Sequence, residues 1–354
     1  MSRPITARID LAALQHNLHV ARRTTSARIM AVIKADAYGH GLLRCAEALD
    51  SADGFALLDL RDAIRLREAG FRQTILLLEG AFTQNDLPRM AGHKLACVIH
   101  SPYQLAMLDA ASRNNKLEVW LKINSGMNRL GFAPQDAPAA LERLKAHPAV
   151  REITLMTHFS HADEAAGVAA QLQLFNQLAA SQRMGRSLAN SAALLRYPQT
   201  HGDWVRPGIM LYGASPFVET SASELGLRPV MTLHSKIISV RELSAGECIG
   251  YGGTFCAERA MRMGVVACGY ADGYPRHAST GTPVLVNGQR TRSLGRVSMD
   301  MLCVDLSALP EANVGSPVTL WGEGLPVEEV ARAAGTISYE LLCALTARVP
   351  VALG

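Results

Sequence analysis

The sequence predicts an α/β protein: an N-terminal (β/α)8 barrel of the TIM type over residues 1–227 and a C-terminal, mainly β domain over 228–354. Three observations predict it. Up to about residue 213, short apolar runs alternate with helical patterns in units of roughly 25 residues, the mark of a parallel sheet. About eight such units favour a closed barrel over an open doubly wound sheet, and no Gly-x-Gly-x-x-Gly follows the first strand to support a dinucleotide-binding variant. After Pro216 the pattern changes to β-type runs.

Each element has a local cause. Asp10 is placed to cap a helix whose apolar stripe is Leu11, Leu14 and Leu18. Ile29–Ile33 reads as a strand, followed by a helix near 42–49 and a strand at Gly54–Leu58. Asp59 caps a helix carrying Leu60 and Ile64, and Gly70 stops it. Thr74–Leu78 and Leu95–Ile99 are strands around a helix near 84–91. Ser101-Pro102-Tyr103-Gln104 has the form of a capping box with proline in the first turn. Leu117–Ile123, Ile153–Thr157 and Ser187–Asn190 are further strands, separated by helices near 135–146 and 167–184. Residues 217–227 read as a linker. Beyond it come Val230–Val240, Met263–Cys268, Pro283–Val286, Met301–Leu306 and Pro317–Trp321, with Asn287-Gly288 as a hairpin signal. Helices near 326–334 and 338–346 close the domain.

Composition narrows the function classes. The chain of 354 residues is 49% apolar and 19% charged, ordinary for a globular enzyme. A formal charge of +4 without a basic, aromatic-interleaved cluster argues against nucleic acid. No apolar run approaches a membrane span, and the first ten residues lack a signal core. The seven cysteines are an odd number with no C-x-x-C pair; they read as reduced thiols of a cytoplasmic protein rather than a disulfide framework.

Five segments carry chemistry. Ala31–Gly41 places Lys34 at the end of an apolar strand, with Tyr38 and a Gly-His-Gly turn behind it. A lysine that attacks a carbonyl needs an apolar strand behind it and an open loop in front. Tyr38 is within reach of a phosphate oxygen; His40 reads as a loop hydrogen-bonder. Asn190-Ser191-Ala192 and Arg206-Pro207-Gly208-Ile209 follow late barrel strands, where backbone amides and hydroxyls such as Ser191 and the Gly208 and Ile209 N–H groups often hold phosphate. Lys122 lies on a strand and Arg129 in the turn after it. His158, His161 and Asp163 invite a metal reading, but no third ligand of comparable quality is near in sequence. Tyr251 sits among Gly250, Gly252 and Gly253 in the β domain, exposed and positioned by backbone.

Together these segments resemble bacterial alanine racemases from Ile5 to Pro350, with the nearest likeness to the catabolic members. The resemblance implies pyridoxal 5′-phosphate held by Lys34 as a Schiff base and an L-alanine/D-alanine substrate pair. It puts Arg206 at the pyridine nitrogen, and His158 near the ring and bonded to Arg206. Arg129 would meet the cofactor's phenolic oxygen and the substrate carboxylate, steadied by a carbamylated Lys122. Tyr38, Asn190, Ser191, Gly208, Ile209 and Tyr339 would bind the cofactor, with Tyr339 closing the pocket. Tyr251 would be the second acid–base group, offered to a partner subunit in a homodimer with shared sites. The Met299 amide would meet the substrate carboxylate, and Asp163, Tyr270, Arg276 and Arg296 would line the entrance. Asp36 stands where asparagine is also common, with no mechanistic consequence expected. A barrel-type pyridoxal-phosphate decarboxylase, a racemase of broader specificity, and a non-enzymatic cofactor-binding barrel are the rival readings. D-Alanine synthesis for the cell wall and alanine breakdown are both compatible with the sequence.

Overall fold

The computed structural model describes residues 3–111 and 116–354. After β1 (Thr6–Ile9), eight parallel strands close into a barrel: β2 (Arg28–Val32), β3 (Gly54–Leu57), β4 (Thr74–Leu77), β5 (Ala96–Ile99), β6 (Leu117–Lys122), β7 (Val150–Met156), β8 (Gly185–Ser187) and β9 (Trp204–Val205). The last pairs with the first, Arg28 beside Trp204. Helices cover the outside, so strands such as β3 and β5 are buried throughout and read as unbroken apolar runs. The predicted barrel is present, and its strand positions lie close to those expected.

Asp10 Oδ1 accepts from the Ala13 N–H at 2.8 Å, and Asp59 Oδ1 from Arg61 N–H at 2.8 Å, as their capping positions predict. The expected capping box does not form. Gln104 Oε1 takes the His100 N–H at 2.8 Å, while its amide donates to Glu79 O and Ala81 O, so it binds two barrel loops instead of the helix start. Long-range use of a buried amide outcompetes the local motif.

The second domain is built from β10 (Met231–Leu243), β11 (Cys248–Ile249), β12 (Phe255–Cys256), β13 (Met261–Val266), β14 (Pro283–Val286), β15 (Gln289–Leu294), β16 (Leu302–Asp305), β17 (Pro317–Trp321) and β18 (Val351–Leu353). One sheet runs β13-β16-β15-β14-β17-β10-β1-β18, and β13 also pairs with the far half of β10, so six strands close on themselves. Asn287 and Gly288, at φ +50° and +75°, make the two-residue β14–β15 hairpin turn that the sequence signals.

Three features depart from expectation. β1 has no counterpart among the expected elements, and it joins this second sheet, antiparallel to β10 and parallel to β18. Segment 217–227 packs Phe217, Ala222 and Leu227 into the core rather than hanging free. Cys248 and Cys256 form a disulfide across β11 and β12, where they stand directly opposite, while Cys45, Cys97, Cys268, Cys303 and Cys343 are free thiols. An odd cysteine count says nothing about two residues that a hairpin brings face to face.

Buried Asp272 ties both ends of the chain to the turn that bears Tyr270. Its carboxylate accepts from Arg3 at 2.7 Å, Arg348 at 2.8 Å and the Gly269 N–H at 2.9 Å.

Candidate active site

Lys34 stands two residues past the end of β2, at the C-terminal mouth of the barrel where loops carry chemistry. The next four residues are not an open loop. Ala35, Asp36, Ala37 and Tyr38 all adopt left-handed helical angles, φ 51–54° and ψ 41–52°. Non-glycine residues enter this region at a cost of roughly 1–2 kcal/mol each, so four in succession need tertiary support. That support is visible. Asp36 Oδ1 accepts from the Leu42 N–H at 2.7 Å and starts the next helix. Gly39 lies so close to the helix Ser338–Cys343 that a Cβ would stand 2.3 Å from Leu342 O. Buried His40 directs Nδ1 at Tyr38 O (2.8 Å) and Ala37 O (3.0 Å), the loop role expected for it, and burial lowers its pKa to about 4.

The left-handed turn delivers Tyr38 to the phosphate-type loop. Its ring stacks on Tyr212 at 4.5 Å, and Tyr212 donates from Oη to Val32 O at 2.9 Å, the last residue of β2. The Tyr38 hydroxyl abuts Gly208, where a Cβ would lie 2.5 Å away. Ser191 Oγ accepts from the Gly208 N–H at 2.8 Å. Asn190 Oδ1 caps the helix Ser191–Arg196 through the Ala193 N–H at 3.0 Å. Among the described residues the Ile209 N–H donates to nothing. Hydroxyls and amides thus converge where an anion would sit. Tyr339, on the helix Ser338–Cys343, places its ring 6.1 Å from that of Tyr38. Tyr212 is missed by sequence reasoning; its position four residues after Gly208 is the available clue.

A cationic group occupies the rest of the mouth. Arg206 is buried and donates to Ser187 Oγ at 2.5 Å, Thr157 O at 2.6 Å and Leu188 O at 3.2 Å. Burial lowers its pKa to about 10. Buried Lys122 is pushed down to about 8 by desolvation and by Arg206 and Arg129, against a small opposing pull from Glu79. Desolvation, then the charges of Arg206, Lys122, Arg129 and Lys34, hold His158 well below the usual imidazole range, so the ring is neutral. This imidazole therefore senses all four cations at once. Among the described residues no hydrogen bond joins His158 to Arg206, contrary to the expected pairing; three of the arginine's five N–H donors go instead to Ser187 Oγ and two carbonyls. His161 turns away to Ser160 Oγ at 2.6 Å, and among the described residues no group of three or more His, Cys, Asp or Glu side chains could hold a metal ion.

The β domain gathers a second set. Tyr270 N–H donates to Ser298 O at 3.1 Å and Ala271 N–H to Met299 O at 2.9 Å, locking two turns together. The Met299 N–H has no partner among the described residues. Exposed Arg296 lies against the Tyr251 turn, its guanidinium 3.0 Å from where a Cβ on Gly252 would be. Arg276 is exposed nearby in sequence, and Tyr251 itself is 71% exposed. Among the described residues no hydrogen bond, ion pair or ring contact links Tyr251, Tyr270, Arg276, Arg296 or Met299 to the barrel-mouth group. Asp163, by contrast, lies close enough to Tyr339 to add to the rise that burial causes in its phenol.

A barrel whose mouth gathers a strand-end lysine, hydroxyl-bearing loops and a buried cationic group, joined to a β domain, has the architecture of a barrel enzyme. Residues 9–216 match the family model described as alanine racemase, N-terminal domain, and residues 230–353 match alanine racemase, C-terminal domain. The chain is 64% identical over 353 residues to an alanine racemase of Nitrosospira multiformis, covering 99% of both chains. It is 61% identical to one of Nitrosomonas europaea, covering 99% of this chain and 98% of that one. Its fold superposes on the biosynthetic alanine racemase of Pseudomonas aeruginosa with a TM-score of 0.98 at 51% identity, covering 99% of each chain. For the enzyme of Acinetobacter baumannii the TM-score is 0.94 at 39% identity, covering 99% of this chain and 100% of that one. This chain belongs to the alanine racemase family, whose members are isomerases. The Pseudomonas enzyme, described as biosynthetic, stands beside the likeness to catabolic members expected from sequence.

Proposed function

We propose that this protein interconverts L-alanine and D-alanine in a homodimer with shared sites, using pyridoxal 5′-phosphate and two proton carriers: Lys34 of one protomer and Tyr251 of the partner subunit. The observation that carries the reading is the separation of the two residue sets. The Lys34 set gathers at the barrel mouth, and among the described residues no hydrogen bond or ring contact joins the 71% exposed Tyr251 to it. A proton must leave one face of Cα and return to the other, so two carriers on opposite sides are required, and a twofold-related partner can supply the second.

The residues fit the cofactor. The absence of a Cβ at Gly208 keeps open the space beside the Tyr38 hydroxyl. There Tyr38, Ser191, the Gly208 and Ile209 amides and Tyr339 would hold the phosphate, with Asn190 fixing the helix start. When bound, pyridoxal phosphate supplies the electron sink that makes the Cα proton removable. Arg206 would face the ring nitrogen; a guanidinium has only donors and cannot accept a hydrogen bond from a protonated ring nitrogen, so the nitrogen would stay unprotonated, which limits the sink and disfavours side reactions. Neutral His158 would lie along the ring. Arg129 and the free Met299 N–H would receive the substrate carboxylate. Lys122, with a depressed pKa, is suited to carbamylation, and the resulting anion would steady Arg129. Asp163, Tyr270, Arg276 and Arg296 would form the entrance. Lys34 takes the proton from D-alanine and Tyr251 takes it from L-alanine. The family match weighs against a decarboxylase, and the second domain weighs against a binding-only barrel.

Proton exchange in deuterated water tests the assignment. Lys34→Ala should lose racemisation and exchange from either isomer. Tyr251→Phe should lose racemisation by roughly 10²- to 10⁴-fold, while D-alanine still exchanges its Cα hydrogen with retention. A Tyr251→Phe enzyme that racemises at the parent rate would remove tyrosine from the mechanism.

A further inference from the structure

We propose that the Cys248–Cys256 disulfide is a redox-responsive clamp that positions Tyr251, so that a dithiol lowers turnover by loosening the turn. The inference rests on Tyr251 being a proton carrier, as argued above.

The turn holds its own shape weakly, through one internal hydrogen bond from the Gly253 N–H to Gly250 O at 3.3 Å. Gly250, Gly252 and Gly253 flank the tyrosine at φ +70°, +76° and +53°, and glycine gives up the most backbone freedom when fixed. The strands at its base, β11 and β12, are two residues each, pairing Cys248 with Cys256 and Ile249 with Phe255. Only Ile249 is buried, in a satellite cluster with Ala257, Met261, Met263 and Leu294. Half-buried Phe255 packs against the same cluster, and the residues between these two anchors project from the core except half-buried Gly253. The Tyr251 side chain makes no hydrogen bond or ring contact among the described residues and is 71% exposed. Its phenol is therefore aimed by the backbone alone.

Besides the short β11–β12 ladder and the Gly253 N–H to Gly250 O bond at 3.3 Å, two further features restrain that backbone. One is the Arg296 guanidinium beside Gly252. The other is the disulfide, which joins residues eight apart and closes the turn into a small ring. A covalent ring of this size removes most of the open conformations available to a glycine-rich segment. General acid–base transfer demands hydrogen-bond distance and alignment, and a misplacement of the order of 1 Å can cost about 10²-fold in rate. A restraint at the base of the turn therefore acts on the reaction through Tyr251, as positioning and without touching substrate.

The same bridge is open to chemistry. In the single chain both cysteines are exposed, at the base of the turn three and five residues from Tyr251, so a thiolate can reach either sulfur from that side. One thiolate of a dithiol attacks a bridge sulfur, forming a mixed disulfide and releasing one cysteine thiolate. The dithiol's second thiolate then displaces the other cysteine. The protein gains two electrons and two protons as two thiols, and the dithiol leaves as its own disulfide. The remaining five cysteines are free thiols, of which Cys45, Cys97 and Cys268 are buried.

The test uses the cofactor-loaded enzyme, with the bridge first verified by non-reducing peptide mass mapping, then titrated with dithiothreitol. We expect kcat to fall roughly 10- to 100-fold with KM little changed. The primary isotope effect with α-deuterated L-alanine should rise and that with α-deuterated D-alanine should not, because only the tyrosine side is loosened. Reoxidation should restore both. The C248S/C256S variant should match the reduced enzyme and ignore dithiol; if it fails to fold, the dithiol titration of the parent decides. Equal kcat and isotope effects in oxidised and reduced enzyme, or two free thiols at these positions in air-oxidised protein, overturn the clamp. Y251F separates the two ideas. If Y251F loses racemisation while redox state has no effect, the clamp alone fails; if Y251F keeps full activity, the tyrosine assignment fails first.

Discussion

Lys122 concentrates the electrostatics of the barrel mouth in one side chain. Burial is the largest influence on it, and the neighbouring Arg206 and Arg129 push in the same direction, to about 8. An unmodified lysine here burdens the fold when charged. Below pH 8 both folded and unfolded chains carry the proton, so the penalty is constant. Between about 8 and the ordinary lysine value of 10.5 the unfolded chain holds a proton that the folded chain has lost, and stability rises with pH. The difference corresponds to about 3 kcal/mol. A carbamate would turn the burden into an anion among arginines and remove that window. In carbon-13 dioxide a carbamate resonance should appear, absent in Lys122→Met, and CO2-free protein should regain the alkaline rise in urea midpoint. A plain lysine by NMR and intact mass under CO2 would dismiss the modification. The sequence made Lys122 and Arg129 visible as a strand residue and a turn residue, but spacing carries no information on burial. Their coupling to Arg206, some eighty positions later, exists only once the barrel closes.

The element that most shapes the site is the left-handed turn Ala35–Tyr38. Its composition gave no warning, since alanine and aspartate favour right-handed helix or caps, and the flanking Gly-His-Gly read as an open loop. The cause is tertiary: Asp36 caps the next helix, Gly39 admits Leu342 O, and Tyr38 stacks on Tyr212. A testable consequence is a reversal of the usual alanine-to-glycine effect. At exposed Ala139, within the helix Ala137–Ala146, glycine should cost about 1 kcal/mol. At exposed Ala35, φ +54°, the relief of left-handed strain should offset the added freedom of the unfolded chain. Ala35→Gly should then be neutral or up to about 1 kcal/mol stabilising by urea unfolding. Equal losses at the two sites would show that the turn is unstrained. Barrel strands were easier to read, because burial on both faces leaves continuous apolar runs. The helix caps at Asp10 and Asp59 were legible because their partners lie two or three residues away. The Ser101 box failed because Gln104 had more distant acceptors and donors to satisfy.

At the scale of the whole molecule, the two halves are stitched by β1, which leaves the barrel's end of the sequence to lie between β10 and β18, and by Asp272, which gathers arginines from both termini. A four-residue strand that pairs only with residues more than two hundred positions away cannot be found by local pattern. The stitching fixes which surface of the β domain faces outward, and that surface carries Tyr251, Met299 and Tyr270, each more than a third exposed. At the barrel mouth of the same chain, the Tyr339 ring stands 6.1 Å from that of Tyr38. If a twofold partner brings the exposed set to the mouth, each site draws Lys34 from one chain and Tyr251 from the other. Lys34→Ala and Tyr251→Phe chains, each inactive alone, then complement. In a mixed dimer one site loses both groups and the other keeps both. Random reassortment of equal amounts makes about half of all dimers mixed, so about a quarter of the parent activity should return. Denaturation and refolding of differently tagged chains, tandem purification of the mixed species and a racemisation assay measure it directly. The purified heterodimer should reach about half the parent rate. A heterodimer with no activity, set against parent protein carried through the same refolding with full recovery, would mean that each chain completes its own site and that Tyr251 serves some other contact.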